Sequence, residues 1–348
     1  MFKFMLTIVL TALLVSYIGT PILRKFAFKM GWIDHPTGGR KIHNVPIVNI
    51  GGVMLFLAFF IAVVMNVHVG ETMQGVLLCA FLITAIGFLD DWIQLQPKVK
   101  LLGQVLVAFL TTQFGVEIAM ITNPFTGGAI PLGIWSVPLT IFWIVAVMNT
   151  VNLIDGLDGL AAGIAAISAT FISVVAIHTG QYQAAVLTLA VLGACLGFLR
   201  YNFSPAQIFM GDSGSLFLGY ILATASIIGV LKSPISISLA VPILVLGLPI
   251  SDTAFAIIRR LRAGRAIFGA DRSHIHHQLL DKGLSSKQAV KFCYLLTFGL
   301  GLMGLGLSVA RGMVAWWVLG VILAILFVFY AMAKSNSERI KHWIQHWL

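Results

Sequence analysis

Four polar residues recur at every third position directly after an apolar run: Asn149, Asn152, Asp155 and Asp158. They lie in N-T-V-N-L-I-D-G-L-D-G-L-A-A-G, from Asn149 to Gly163. A helix turns ~100° per residue, so each three-residue step drifts by only ~60° and neighbouring members stay on adjoining faces. Gly156 and Gly159 let the backbone open and approach a bound group closely. Two carboxylates and two carboxamides at the mouth of an apolar helix are costly to place, and such groups mark a functional site. The plain alternative is a polar helix end beside a loop.

Three further stretches carry chemistry of the same kind. Asp90 and Asp91 end an apolar run, where adjacent like charges repel unless a cation or a proton is shared. Asp212 sits in F-M-G-D-S-G-S between Gly211 and Gly214; an exposed carboxylate at a helix start suits a hard cation or a diphosphate with its counter-ion. A simple Ser/Asp N-cap is the competing reading of that turn. The loop 259–288 carries five arginines, among them Arg272, and then Ser273-His274-Ile275-His276-His277. Three histidines in four residues could ligate a transition metal. No Cys or Glu lies at a partnering spacing, so phosphate contacts from His and Arg are the preferred reading. Asp252 either pairs with Arg259 or reaches the site; the sequence leaves both open. In the loop 24–46, Arg40, Lys41 and His43 read either as a basic stop signal touching anionic lipid or as contacts to a phosphorylated substrate.

The elements that position these groups are membrane helices. Of the 348 residues, 59% are hydrophobic and only 10% charged, and mean hydropathy is +0.98, which excludes an ordinary soluble protein. A helix crossing ~30 Å of hydrocarbon needs ~20 apolar residues. About eleven such stretches occur: 3–23, 47–66, 72–89, 100–117, 134–151, 159–177, 183–200, 214–231, 237–258, 289–309 and 313–333. Their continuous apolar runs argue against a β-barrel. The expected fold is therefore all-α: one polytopic transmembrane catalytic domain over 1–333 and a basic tail over 334–348. The first stretch has no small-residue cleavage site after it and reads as a retained span. The three cysteines, Cys79, Cys195 and Cys293, fall in separate spans and imply neither a disulfide nor a metal site.

Eleven spans place the termini on opposite sides. Of the 22 Lys and Arg, 19 fall in the loops after odd-numbered spans and in the tail, leaving only Lys3, Lys232 and Arg311. The positive-inside rule makes those loops cytoplasmic, with the N-terminus outside and the C-terminus in the cytoplasm. The net charge of +10 then needs no nucleic acid to explain it. All nine aspartates fall on the same side or at that end of a span, which points to a metal or phosphate site facing the cytoplasm.

Together these stretches resemble the polyprenyl-phosphate N-acetylhexosamine-1-phosphate transferases, integral membrane enzymes that start lipid-linked glycan synthesis. The resemblance covers nearly the whole chain. Asp-Asp, N-x-x-N-L-I-D-G-L-D-G-L, F-M-G-D-S-G-S and H-I-H-H occur in the family's order. H-I-H-H resembles the bacterial N-acetylglucosamine branch that primes teichoic acid or O-antigen synthesis; the muramoyl-pentapeptide branch typically shows three consecutive histidines. One departure lies in the first loop, where the family usually has P-x-P-R-x-G-G and this chain has Asn49 in place of the arginine.

The resemblance implies that undecaprenyl phosphate attacks the β-phosphorus of UDP-N-acetylglucosamine, giving the lipid diphosphate sugar and UMP, with Mg²⁺ or Mn²⁺ required. It further implies a multi-pass protein of the bacterial plasma membrane, with membrane lipid around it, and leaves a homodimer open. By the same resemblance Asp212 is the metal ligand, with Asn152 second. Asp90 and Asp91 lie near the lipid phosphate, one of them a candidate base. Asp155 lies beside the diphosphate, and Leu157, Asp158, Asn202 and Phe209 form the uridine pocket. Arg272, His274 and His276 hold the pyrophosphate; Asn149, His277, Lys41 and His43 complete the expected substrate-binding set. The alternatives are the phospho-N-acetylmuramoyl-pentapeptide transferase, an intramembrane prenyltransferase and a membrane transporter. Gln94 stands where a prenyltransferase's third acid is expected, and a transporter's acids lie at the midplane rather than at one face.

Overall fold

The computed structural model describes residues 1–34, 47–122, 128–231, 240–262, 264, 274–309 and 320. The expected last span at 313–333, the tail 334–348, and Lys41, His43 and Arg272 lie outside the described residues, apart from position 320. Among the described residues the regular structure is helical apart from two short antiparallel hairpins.

Helix α1 (Phe2–Met30) ends on Gly31, whose φ of 73° supplies the left-handed cap that a side chain would resist. Strand β1 (Ile33–Asp34) pairs with β2 (Ile47–Val48), which leads straight into α2 (Gly51–Asn66). Helix α3 (Glu71–Ile93) carries Asp90 and Asp91 in its last turn. Pro97 then opens α4 (Pro97–Gln113), at a position where its missing N–H costs nothing. A second hairpin, β3 (Met120–Thr122) with β4 (Ala129–Pro131), lies at the far end of the bundle and precedes α5 (Ser136–Ile154). Helices α6 (Leu160–His178) and α7 (Tyr182–Asn202) follow, then α8 (Gly211–Ser226), which runs on as a wider turn to Leu231.

Among the described residues seven helices are long and apolar enough to cross a membrane, and α2 is a shorter apolar helix. Helix α8 is the centre of the bundle: 89% of its apolar window is buried, against 22% for α1. Neighbours reach it through small residues, as helices packing inside lipid do. A Cβ on Gly52 of α2 would land on the backbone of Gly214, and one on Gly87 of α3 on the backbone of Ser213. Two polar pairs join helices inside the bundle: Trp143 Nε1 donates to Ser226 Oγ at 3.0 Å, and the Thr111 and Tyr220 hydroxyls meet at 3.1 Å.

The expected span 237–258 is interrupted. It divides into α9 (Ala240–Val245) and α10 (Gly247–Arg262). Pro249 has no N–H to give the carbonyl of Val245, four residues back. The Ser168 hydroxyl of α6 donates to that freed carbonyl at 3.1 Å, so the break is satisfied from a neighbouring helix. Helices α11 (Ile275–Asp281) and α12 (Ser286–Val309) complete the described fold.

Candidate active site

The N-terminus of α8 organises the site. The first N–H groups of a helix have no partner within it and need acceptors from elsewhere. Here Asp91, at the end of α3, supplies both: Oδ1 accepts the Asp212 N–H at 2.7 Å and Oδ2 the Ser213 N–H at 3.0 Å. The carboxylate also complements the positive end of the helix. Gly211 adopts φ 72°, and any side chain there would run into the Asp91 carboxylate, so glycine is required on both counts. Asn49, at the position where an arginine was expected by resemblance, donates from Nδ2 to Asp91 Oδ1 at 3.4 Å.

This turn aims Asp212 at Asn152 from α5 and Lys100 from α4. Asn152 Nδ2 donates to Asp212 Oδ1 and, at 2.9 Å, to Ser215 Oγ. Lys100 Nζ lies 2.7 Å from Asp212 Oδ2, 2.8 Å from Asp90 Oδ2 and 3.3 Å from Asn152 Oδ1. Asp90 is 9% exposed, and its second oxygen accepts the Leu95 N–H at 2.7 Å. Three oxygens from three helices thus converge on one cationic atom.

Asp155 ends α5 beside this group. Burial first, then the neighbouring Asp212, Asp91 and Asp158, push its carboxyl up to about 8. Asp158 is held by the Ala206 N–H at 2.9 Å. Asn202 is buried; it accepts from the Gly159 N–H at 3.1 Å and donates to the Ile208 carbonyl at 2.9 Å, tying the loop before α6 to the loop before α8. Tyr294 of α12 donates to the Gly159 carbonyl at 2.5 Å. Leu157 is buried beneath the same turn, while Phe209 is half-buried and its N–H donates to the Val48 carbonyl at 2.8 Å. Asn149 faces sideways into a paired contact with Gln104, at 2.6 Å.

The histidine stretch packs on this turn. His276 lies against Gly156, where a Cβ would collide with its ring. It is 2% exposed, and among the described residues its Nδ1 has no hydrogen-bond partner. Burial, then the charge of His277, hold its imidazole down at about 4. His274 stacks parallel to His276 with ring centres 5.9 Å apart, and the His277 ring centre lies 4.3 Å from that of His276.

The structure therefore gathers Asp90, Asp91, Asp155, Asp158, Asp212 and Asn152 at one end of the bundle, with His276 against the Gly156 turn. Lys100 is the residue that sequence reasoning missed, having counted it only as loop charge. Its one signal was placement: a lysine one turn into a proline-started helix, nine residues after Asp91.

The donor set suits a hard cation. The carboxylates of Asp90 and Asp212 both lie within 2.8 Å of Lys100 Nζ, which marks a point where oxygens of Asp90, Asp212 and Asn152 converge. Among the described residues no group of three or more His, Cys, Asp or Glu could hold a metal alone. Mg²⁺ takes one or two carboxylates and fills its remaining positions with phosphate and water, so Asp212 and Asn152 are a sufficient donor pair for it.

Comparison with known proteins covers most of the chain. The profile of glycosyl transferase family 4 matches residues 73–230, which hold Asp90, Lys100, Asn152 and Asp212. A probable undecaprenyl-phosphate N-acetylglucosaminyl 1-phosphate transferase of Bacillus subtilis is 39% identical over 95% of this chain and 93% of its own. A decaprenyl-phosphate N-acetylglucosaminephosphotransferase of Mycobacterium tuberculosis is 36% identical over 82% of this chain and 78% of its own. A phospho-N-acetylmuramoyl-pentapeptide-transferase of Clostridium botulinum is 33% identical over 85% of this chain and 95% of its own.

Proposed function

The chain belongs to glycosyl transferase family 4, and from that premise we propose that it transfers N-acetylglucosamine 1-phosphate from UDP-N-acetylglucosamine to undecaprenyl phosphate. The observation that carries the reading is the convergence of Asp90, Asp212 and Asn152 on Lys100 at the N-terminus of the central helix. Joining two anions needs positive charge where the phosphates meet. Lys100 supplies it from the protein.

In the proposed reaction an acceptor phosphate oxygen forms a bond to the β-phosphorus. The bond from that phosphorus to the bridging oxygen breaks, and its electron pair leaves with UMP. A phosphate monoester has its second pKa near ~6, so at neutral pH the nucleophile arrives largely deprotonated and no side chain has to take its proton. Asp91, with both oxygens engaged by α8, then serves to hold the Asp212 turn in place. Asp212 and Asn152 would hold a divalent cation, Mg²⁺ or Mn²⁺, which when bound neutralises charge on the transferring phosphate oxygens. The buried His276, with its unpartnered Nδ1 against Gly156, offers a polar edge to the donor. The site is proposed to face the cytoplasm, from which a nucleotide sugar arrives; 19 of the 22 Lys and Arg lie on that side of the expected topology.

The relative from Clostridium botulinum supports a second reading, in which the donor is UDP-N-acetylmuramoyl-pentapeptide. H-I-H-H in place of three consecutive histidines favours the first. Release of UMP by the purified protein, with undecaprenyl phosphate and each UDP-sugar in turn, separates them. Turnover with UDP-N-acetylglucosamine alone is the expected result. Turnover only with the pentapeptide donor would move the protein to the second reading.

A further inference from the structure

Asp252 is a buried carboxylate that the chemistry above does not use. It lies in the second turn of α10, 7% exposed, on the face that α10 buries. An ionised carboxyl is costly in such a place unless every lone pair is answered. Both oxygens are answered by one short segment. Oδ2 lies 2.8 Å from His274 Nδ1, and Oδ1 accepts the Ile275 N–H at 2.8 Å. His274 is itself only 6% exposed.

This arrangement constrains the imidazole. A carboxylate can only accept, so Nδ1 must carry the proton, and the opposite ring edge, Nε2, points away from α10. The ring plane is fixed too, stacked parallel to His276, which rests on Gly156 beside Asp155. Titratable groups near the pair include His276 and His277 on α11 and Cys293 on α12, whose thiol lies within electrostatic reach of Asp252.

We propose that Asp252 is a positioning residue, which anchors His274 by its Nδ1 and favours its charged form, so that a cationic Nε2–H edge faces the diphosphate of the donor. The assignment rests on the proposed function, because the anionic partner of His274 is that donor. It goes further in naming what orients the histidine and in which protonation state. The competing role is purely structural: Asp252 would only cap α11 through the Ile275 N–H.

A double-mutant cycle separates the two roles. Asp252→Asn should lower kcat/KM for UDP-N-acetylglucosamine about tenfold or more, mainly through KM, as expected for a lost charge-assisted contact. In a His274→Gln background the same change should cost less than about twofold, because the group it acts through is already gone. If the two losses multiply instead, Asp252 acts only as a cap and the proposal fails. A second measurement needs no variant at position 252 to fold. In histidine-¹⁵N-labelled wild type without substrate, the signal missing from His274→Gln should report an Nδ1–H ring in its charged form at neutral pH. A neutral ring protonated only on Nε2 would overturn the proposal. Failure of every UDP-sugar to release UMP would remove the donor assignment, while the labelled spectrum would still decide whether Asp252 fixes the ring.

Discussion

Replacing Lys100 with methionine probes how the site balances its charge. Two unit charges ~3 Å apart attract by roughly 5 kcal/mol at an effective dielectric near ~20. Asp212 is 32% exposed, so water screens its contact with Lys100; Asp90, at 9%, keeps the larger share. Removing one partner of a well-buried pair costs about 3–5 kcal/mol. With the screened half discounted, Lys100→Met should destabilise the protein by about 2–4 kcal/mol. Two further effects follow from the same geometry. The ammonium competes with any divalent cation for oxygens of Asp212 and Asn152, so the variant should bind Mn²⁺ more tightly, by about tenfold or more. Turnover should nonetheless fall by about a hundredfold, because a fixed positive charge beside the transferring phosphate is lost. Thermal unfolding in detergent across a Mn²⁺ titration reads the first two, and UMP release reads the third. A variant with unchanged melting and unchanged Mn²⁺ affinity would show that Lys100 stands outside the site's charge balance.

Three other outcomes follow from the same structure. Gly156→Ala places a methyl group into the His276 ring; overpacking of this kind costs about 1–3 kcal/mol, and the displaced histidine should reduce UMP release, whereas full activity would separate His276 from the site. His276 titrates at about 4 when folded against an ordinary ~6.5. The unfolded chain therefore takes up a proton that the folded one refuses, and stability should fall by about 3 kcal/mol as pH drops from 6.5 to 4. His276→Gln should remove that part of the slope in thermal melts, and an unchanged slope would contradict the burial argument. For orientation, single cysteines at Ser204 and Ile134 in a Cys-less background should be shielded from and labelled by an impermeant thiol reagent, respectively, in intact cells. Labelling of Ser204 from outside would reverse the proposed facing.

Much of this was legible in the sequence because the chemistry is written in short local patterns. The three-residue spacing of Asn149, Asn152, Asp155 and Asp158 marks a helix mouth, where Asn152 meets Asp212 and Asp155 lies within its electrostatic reach. The apolar runs gave the helices because lipid leaves the backbone little other choice. What stayed hidden depends on pairings between distant positions. Asp91 caps a helix that begins 120 residues later, and Lys100 finds Asp212 across 112. Asn149 belongs to the polar series, yet its side chain pairs with Gln104 rather than entering the carboxylate group. Asn202, expected in the uridine pocket, has both ends of its amide tied to backbone, joining the loop before α6 to the loop before α8. The run 237–258 reads as one span in the sequence, so neither the break at Pro249 nor its repair by Ser168 was read there.

The central claim is that Asp212, held by Asp91 and facing Lys100 and Asn152, serves phosphate transfer rather than capping a helix. Asp212→Asn tests it most directly, since the change removes the charge while nearly conserving shape. Asn caps a helix about as well as Asp, so a capping role leaves activity almost untouched. A role at the transferring phosphates is worth several kcal/mol in the transition state, so UMP release from UDP-N-acetylglucosamine, measured across Mg²⁺ concentrations, should fall by roughly a thousandfold or more. A near-normal rate with unchanged Mg²⁺ dependence would contradict the account and move the search for the ligand to Asp91 and Asp155.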